Sequence, residues 1–184
     1  YTYNHMHDDK FVVMMICSLK DYKGIPEFLK IAKQLESNNN ISFRLILNSE
    51  QNEIDKYFQN QKFKNIEIFS KQKDLEKFYS SSSLVLNLSR VDQWVETFGL
   101  TIVEALAFGI PVIVPPVGGP IEIVEDGIEG FLISSYEIDK LAKKIEELSN
   151  DEMTCINLSK DAKEKALIFS EDLYLKKIQK VVDA

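Results

Sequence analysis

The chain alternates short apolar runs with segments in which apolar residues recur every three or four positions. The short runs are rich in β-branched residues and have the length of buried strands: 11–16, 41–47, 66–69, 84–88, 111–114 and 130–133. The clearest segments with helical spacing between them are 26–36, 74–79 and 101–108. Short apolar strands that alternate with helices predict an α/β fold, a Rossmann-like parallel sheet with helices on both faces.

After residue 133 the pattern changes to helices alone. Apolar residues form one helical stripe along 138–148, and two further amphipathic segments follow, one that ends near residue 166 and one at 173–182. The sheet is therefore expected to end before this region. A length of 184 residues fits a single domain of this kind.

The balance of charge limits the partners of the protein. The chain has 29 acidic and 22 basic residues and a formal charge of −7. A protein that neutralises many phosphates needs a basic face, so wholesale nucleic-acid binding is not expected, whereas a small anion can still bind at a helix N-terminus. Because Arg44 and Arg90 are the only arginines, nearly all the positive charge is lysine.

The cysteines and the N-terminus point to the cytoplasm. Cys17 and Cys155 lie far apart in the sequence, which is typical of free thiols in a reducing compartment. No run of about 18 apolar residues occurs, and the N-terminus has no basic-then-apolar signal pattern. We assign no metal ligands, because two histidines near a terminus, His5 and His7, do not make a site by themselves.

In an open parallel sheet, ligands bind at the carboxyl ends of the strands, where loops lead into helix N-termini. The loop 89–99 follows the fourth predicted strand and leads into the helix that contains Glu104. Glu96 and Glu104 are therefore expected to address one ligand, with Gly99 allowing a close approach of the backbone. A structural alternative exists, because Thr101 and Glu104 have the spacing of a capping box.

The residues around this loop follow a longer pattern. Glu96-Thr-Phe-Gly-Leu-Thr-Ile-Val-Glu104 is followed by a small-residue helix, by Gly109-Ile-Pro-Val112, by Gly118-Gly-Pro-Ile-Glu122 and by Glu125-Asp-Gly-Ile-Glu-Gly-Phe131. In this order the segments resemble the C-terminal half of glycosyltransferase family 4. An ordered match of this length is far more specific than a lone glycine motif.

The resemblance implies the C-terminal half of a GT-B enzyme, in which the first Rossmann-like domain binds the acceptor and the second binds the nucleotide-sugar donor. It implies transfer with retention at the anomeric carbon, without an essential metal or other cofactor. Glu104 would bind the ribose hydroxyls, and Glu96 would act as a catalytic residue against the donor sugar. The backbone of Phe98, Gly99 and Leu100 would face the sugar and the diphosphate.

The loop after the first predicted strand contains a second part of the pattern. Lys23 and its following glycine match the Lys-Gly pair of the family, so Lys23 is the second candidate catalytic residue. Ser18 stands where the family usually has arginine, which removes one cation from the diphosphate site. Lys20 or Arg90 could replace it, the enzyme could belong to a subgroup built differently, or its activity could be weak. We expect Arg90 to reach the donor phosphate or sugar, with an alternative interpretation as a surface partner of Asp92.

Four further positions complete the analysis of the site. Lys71, after the third predicted strand, lies where the resemblance places contacts with the nucleotide base. Gly118 and Gly119 form the Gly-Gly loop and are assigned to donor binding. Trp94 either stacks on a sugar or packs the long loop, and packing is the commoner role of a single tryptophan.

The resemblance also predicts the organisation and function of the protein. Residues 1–10 would be a linker from a missing N-terminal acceptor domain, 11–170 the donor-binding domain, and 171–184 a helix that returns toward the acceptor domain. The expected function is transfer of a hexose or N-acetylhexosamine, with UDP-sugar as the preferred donor, to a lipid-linked saccharide of bacterial O-antigen or capsule. Such an enzyme would work at the cytoplasmic face of the membrane, and this chain alone would bind donor without transferring it. The alternatives are a non-catalytic sugar-nucleotide-binding module and a GDP-mannose-dependent transferase.

Overall fold

The structure is a computed structural model that describes residues 1–59 and 61–169. Within these residues the strands are β1 (Phe11–Cys17), β2 (Ile41–Leu47), β3 (Ile66–Phe69), β4 (Leu84–Leu86), β5 (Val112–Val114) and β6 (Gly130–Leu132). They form one sheet in the order β3-β2-β1-β4-β5-β6, in which every neighbouring pair is parallel. This strand order is that of a Rossmann-like sheet, as the sequence predicted.

Helices lie between the strands and after the sheet. They are α1 (Ile25–Gln34), α2 (Gln51–Phe58), α3 (Glu76–Tyr79), α4 (Leu100–Ala107), α5 (Pro120–Ile123), α6 (Ile138–Ser149) and α7 (Glu152–Ala166). Pro26 and Pro120 stand in the first turns of α1 and α5, where a fixed φ and a missing N–H are tolerated. No helix in the described part of the chain is long and apolar enough to cross a membrane.

The core lies on both faces of the sheet, because alternate residues of a strand point to opposite sides. In β1, Val13 and Met15 join the apolar cluster that contains the buried faces of α1 and α6. Met14, between them, joins a second cluster with Ile102 and Leu106 of α4. All three β1 side chains are buried, so the sheet is covered on both faces, as expected for parallel strands.

The helix α2 was not predicted from the sequence. Of its eight residues only Ile54 and Phe58 are buried, which leaves a weak apolar stripe. Its first turn is held by Glu53, whose carboxylate accepts a hydrogen bond from the Glu50 N–H at 3.1 Å. Local capping therefore defines this helix better than its apolar pattern does.

Residues 1–10, which the sequence assigned as a linker, pack on the domain. The Tyr3 hydroxyl donates to the Ser83 carbonyl at 2.9 Å. His5 is buried, and its Nε2 lies 2.8 Å from the carbonyl oxygen of Leu148. The helix predicted at 173–182 lies outside the described residues, so its assignment stays a prediction.

The strand order reverses between β1 and β4, and this reversal determines where a ligand can bind. The chain leaves β1 toward β2 on one side and leaves β4 toward β5 on the other. The loops that follow the carboxyl ends of β1 and β4 therefore separate and leave a crevice, which is the usual ligand site of such sheets.

Candidate functional site

A groove of two adjoining compartments occupies this crevice. The first compartment, about 200 Å³ in volume, lies between the loops that follow β1 and β4. The second compartment, about 310 Å³, extends toward the loops that follow β2 and β3. Both are lined by Ile16, Cys17, Ser18 and Thr101, so they form one continuous site.

Lys23 and Glu96 form an ion pair in the first compartment. The Lys23 Nζ lies 2.9 Å from the Glu96 Oε2, and the side chains are 17% and 20% exposed. Lys23 ends a 3₁₀ turn, and Gly24 follows it at a φ of 87°, so close to Leu88 that a Cβ would lie 2.2 Å from the Leu88 carbonyl oxygen. Of the described residues that line the first compartment, Lys23 alone is basic. It is the cation available to an anion bound there.

The two glycines of the Gly-Gly loop position Glu96. The Gly119 N–H donates to the Glu96 carbonyl at 2.7 Å. A Cβ on Gly118 would lie 2.6 Å from the same Glu96 oxygen, and a Cβ on Gly119 would lie 2.4 Å from the Thr97 carbonyl oxygen. The sequence assigned these glycines to donor binding. In the structure they let two loops approach closely and do not line either compartment.

The N-terminus of α4 forms another wall of the first compartment. Gly99 is its N-cap, with a φ of 86°, and no side chain among the described residues caps the helix. Gly99, Leu100 and Thr101 line the compartment, so the positive end of the helix dipole lies there. Phe98 does not line it, and its exposed ring packs at 6.0 Å from the ring of Phe169.

Glu104 lies in the second compartment, held by a tyrosine that the sequence analysis missed. The Tyr79 hydroxyl donates to the Glu104 Oε2 at 2.6 Å, and Tyr79 is buried at the end of α3. Burial and this hydrogen bond raise the pKa of Tyr79, so the phenol keeps its proton. The capping-box alternative is wrong, because Gly99, and not Thr101, is the N-cap of α4.

Two other predicted residues fall in the groove. Ser18 lines both compartments and stands at their junction, and Lys71 is an exposed residue at the edge of the second compartment. The sequence analysis missed Asn48 and Gln72, which line the second compartment, and Asn87, which lines the first. Asn48 follows β2 directly, so a search of every strand end would have found it.

Arg90, which the sequence assigned to donor binding, lines neither compartment and pairs with a carboxylate of α1. Its Nη2 and Nε lie 2.8 Å and 3.1 Å from one carboxylate oxygen of Glu27 on α1. Glu27 is buried, and its other oxygen has no hydrogen-bond partner among the described residues. The alternative pairing with Asp92 is also not observed, since Asp92 accepts a hydrogen bond from the Tyr136 hydroxyl.

Cys17 forms part of the wall between the compartments. Burial raises the pKa of Cys17 to about 12 and the pKa of the distant Cys155 to about 11. Both thiols are free and stay protonated at neutral pH. Within residues 1–59 and 61–169, no three His, Cys, Asp or Glu side chains gather in a group that could hold a metal ion.

Comparison with known proteins assigns the chain that forms this groove to a family. A family model described as glycosyl transferases group 1 matches residues 4–166, which include all six strands and both compartments. The chain belongs to this family. Its Lys23, Glu96 and Glu104 are thus residues of a glycosyl transferase group 1 domain.

Individual proteins that are similar to this chain match different shares of it. The capsular polysaccharide biosynthesis glycosyltransferase CapM of Staphylococcus aureus is 30% identical over 154 residues, which are 82% of this chain and 40% of CapM. The Anabaena protein Alr3699/HepE, solved in complex with UDP-glucose, has a TM-score of 0.77 at 24% identity and covers 95% of this chain and 49% of its own. This chain therefore spans less than half the length of either protein.

A shorter solved structure matches over most of its length. The C-terminal domain of the glycosyl transferase group 1 family protein LpcC of Francisella tularensis has a TM-score of 0.72 at 21% identity. The match covers 85% of this chain and 84% of that domain. At this identity the similarity shows the fold, and the two domains share it over comparable lengths.

Proposed function

We propose that this chain is the donor-binding, C-terminal half of a retaining GT-B glycosyltransferase. The observation that carries the proposal is the separation of Lys23 and Glu96 in one compartment from Glu104 in the adjoining one. A nucleotide sugar presents ribose hydroxyls, a diphosphate and a sugar in that order. A carboxylate at one end of the groove and a cation at the other match this order of groups.

Each side chain then has a chemical role. The Glu104 carboxylate accepts hydrogen bonds from the ribose hydroxyls. Lys23 and the uncapped N-terminus of α4 stabilise the charge that develops on the departing diphosphate. Glu96, paired with Lys23, contacts the sugar whose anomeric bond breaks. Because the lysine and the helix N-terminus supply positive charge at the leaving group, the proposal needs no essential metal.

The preferred donor in this proposal is a UDP-hexose or UDP-N-acetylhexosamine. The structural match to the Anabaena protein solved with UDP-glucose supports this choice. The similarity to CapM, named for capsular polysaccharide biosynthesis, supports a role in surface polysaccharide synthesis. The proposed acceptor is a lipid-linked saccharide at the cytoplasmic face of the membrane. The match to a C-terminal domain supports an acceptor domain elsewhere in the full-length protein, so the chain alone would bind donor but not transfer sugar.

The test is calorimetric titration of the 184-residue chain with a panel of UDP- and GDP-sugars. We expect saturable binding of at least one UDP-sugar and a higher melting temperature in its presence, since a ligand of the native state stabilises it. Preference for GDP-mannose would replace the proposed donor with the alternative one. Absence of binding to every sugar nucleotide would contradict the donor-site assignment.

A non-catalytic binding module is the second candidate, and Ser18 is the observation that favours it. Ser18 stands at the junction of the compartments, where the family usually supplies arginine, and Lys23 is the single basic residue of the first compartment within the described chain. A turnover assay of the full-length protein separates the candidates. Release of UDP that depends on acceptor indicates a transferase, whereas donor binding without turnover indicates the silent module.

A further inference from the structure

We propose that Tyr79 is a positioning residue of the donor site, which holds the Glu104 carboxylate ready for the ribose hydroxyls. This inference rests on the proposed function, because it deepens the role of Glu104. Neither the sequence pattern nor the similarity to other proteins assigned a role to Tyr79. Its contact with Glu104 joins two elements of the fold, α3 and α4, at the second compartment.

The geometry of the contact is that of a strong hydrogen bond. The distance of 2.6 Å between the Tyr79 hydroxyl and the Glu104 Oε2 falls in the range for a neutral O–H donor and a carboxylate. The bond occupies one oxygen of Glu104, so the other stays available to a ligand. A glutamate has several rotatable bonds, and fixing them before the ligand arrives removes an entropic cost from binding.

The surroundings of Tyr79 explain why it can act as a fixed donor. The residue is only 2% exposed, and its ring stacks on Phe108 at a centroid distance of 5.2 Å. A buried hydroxyl needs a partner, and the described structure offers it a carboxylate that lines the groove. The tyrosine ring is thus packed as core while its polar end reaches a ligand-facing side chain.

A tyrosine with a purely structural role would form its hydrogen bond away from the groove. Tyr3 is a partly buried tyrosine of the same domain whose hydroxyl donates to a backbone carbonyl, that of Ser83, away from the groove. Loss of that hydroxyl removes one hydrogen bond of the fold and no ligand contact. Tyr3→Phe is therefore the matched control for Tyr79→Phe, since both changes keep the ring and remove one hydrogen bond.

The experiment measures the binding of UDP and of 2′,3′-dideoxy-UDP to the 184-residue chain by calorimetry. We expect the native chain to bind UDP more tightly than the dideoxy compound. Tyr79→Phe should weaken UDP binding about tenfold, because the Glu104 carboxylate must then be ordered when the ribose binds, and should change binding of the dideoxy compound less than about twofold. Tyr3→Phe should change neither affinity.

A second pair of variants isolates the contact. In the Glu104→Gln background the preference for UDP should already be small, and adding Tyr79→Phe should reduce it no further. Circular dichroism and thermal unfolding of each variant give its folded fraction. The affinities can then be corrected for any loss of stability.

The outcomes separate this inference from the function on which it rests. If the native chain prefers UDP and Tyr79→Phe weakens both compounds equally, or weakens neither, the positioning role is wrong and the role of Glu104 stands. If the native chain binds UDP and the dideoxy compound equally well, Glu104 does not bind the ribose hydroxyls. The proposed role of Glu104 and the positioning role of Tyr79 are then both wrong.

Discussion

Two ion pairs involve the loop that follows β4, and they differ in where they face. Lys23 and Glu96 meet in the groove, with 17% and 20% of their side chains exposed. Arg90 and Glu27 meet against α1, where the arginine is 19% exposed and the glutamate only 4%. In both pairs a basic residue and a carboxylate lie less than 3 Å apart, yet only the first pair lines the groove.

This difference determines which of the two cations can bind a ligand. Among the described residues, Arg90 is the only hydrogen-bond partner of the buried Glu27 carboxylate. If Arg90 moved to a ligand, Glu27 would remain buried without a counter-charge, which is costly. The groove pair is reached by solvent, and Lys23 can exchange Glu96 for a phosphate oxygen at a smaller cost. Arg90 therefore stabilises the fold, and Lys23 is available for binding.

The largest effect should come from breaking the buried pair. Arg90→Ala leaves Glu27 buried without a counter-charge, and we expect it to lower the free energy of unfolding by about 3 kcal/mol. Lys23→Ala, the matched change in the groove, should lower it by less than about 1 kcal/mol. Urea denaturation of both variants measures the difference, and equal losses would remove the distinction between the two pairs.

Donor affinity should show the opposite ranking. Lys23→Ala should weaken binding of the UDP-sugar about 30-fold, because one charged contact with the diphosphate is lost. The control is Lys20→Ala, since Lys20 is exposed in the same loop and does not line the groove. Calorimetric titration gives both affinities. A loss as large in Lys20→Ala would mean that Lys20 replaces the arginine missing at position 18.

A smaller loss of donor affinity is expected when a substitution in the Gly-Gly loop displaces Glu96. Gly118→Ala would push a Cβ against the backbone of Glu96, and we expect about tenfold weaker binding of the UDP-sugar. Gly127→Ala is the control, since its φ of 83° is close to the 79° of Gly118 but a Cβ there meets open space. Both variants place an alanine at a positive φ. Unchanged donor affinity in Gly118→Ala would show that the position of Glu96 does not matter.

The smallest effect concerns Cys17, which lies beside the groove pair. With its pKa raised to about 12, the folded thiol should react slowly with maleimide at pH 8, and bound UDP-sugar should slow labelling severalfold. The same shift has no effect on stability below about pH 9, where the unfolded thiol also keeps its proton. Between about pH 9 and 12 the unfolded chain loses this proton first, so stability falls.

A Cys17→Ala variant checks the second part of this prediction. It should lose part of the decline in unfolding free energy above pH 9, measured by denaturation at each pH. Fast labelling of Cys17 at pH 8 that donor does not affect would contradict its place in the groove wall.

Sequence reasoning recovered the sheet because the strands are buried on both faces, and such strands are continuous apolar runs. It also brought Lys23, Glu96 and Glu104 together, since the loops that follow parallel strands lie at the same end of the sheet. It missed Tyr79 because a tyrosine at the end of a short helix, next to a phenylalanine, resembles a core residue, and its hydroxyl partner lies 25 residues away in the chain.

It did not find the partner of Arg90 for a related reason. An arginine at the start of a ligand loop resembles a phosphate contact, and its actual partner, Glu27, lies 63 residues earlier in the chain. The helix α2 was not predicted, because the capping contact between Glu50 and Glu53 adds no apolar residue to the helical pattern. Pairings between distant side chains depend on packing geometry, which residue patterns do not specify.

The most direct test of the donor groove is a crystal structure of the chain with a bound UDP-sugar. We expect ribose hydroxyls within hydrogen-bond distance of the Glu104 carboxylate and diphosphate oxygens within that distance of the Lys23 Nζ. A larger cavity of about 590 Å³ lies elsewhere, between α1 and the loop before β3, and it is lined by Lys30, Lys33 and Phe63. A nucleotide found in that cavity, or bound in the groove with its ribose at Lys23, would show that the donor-site assignment is wrong.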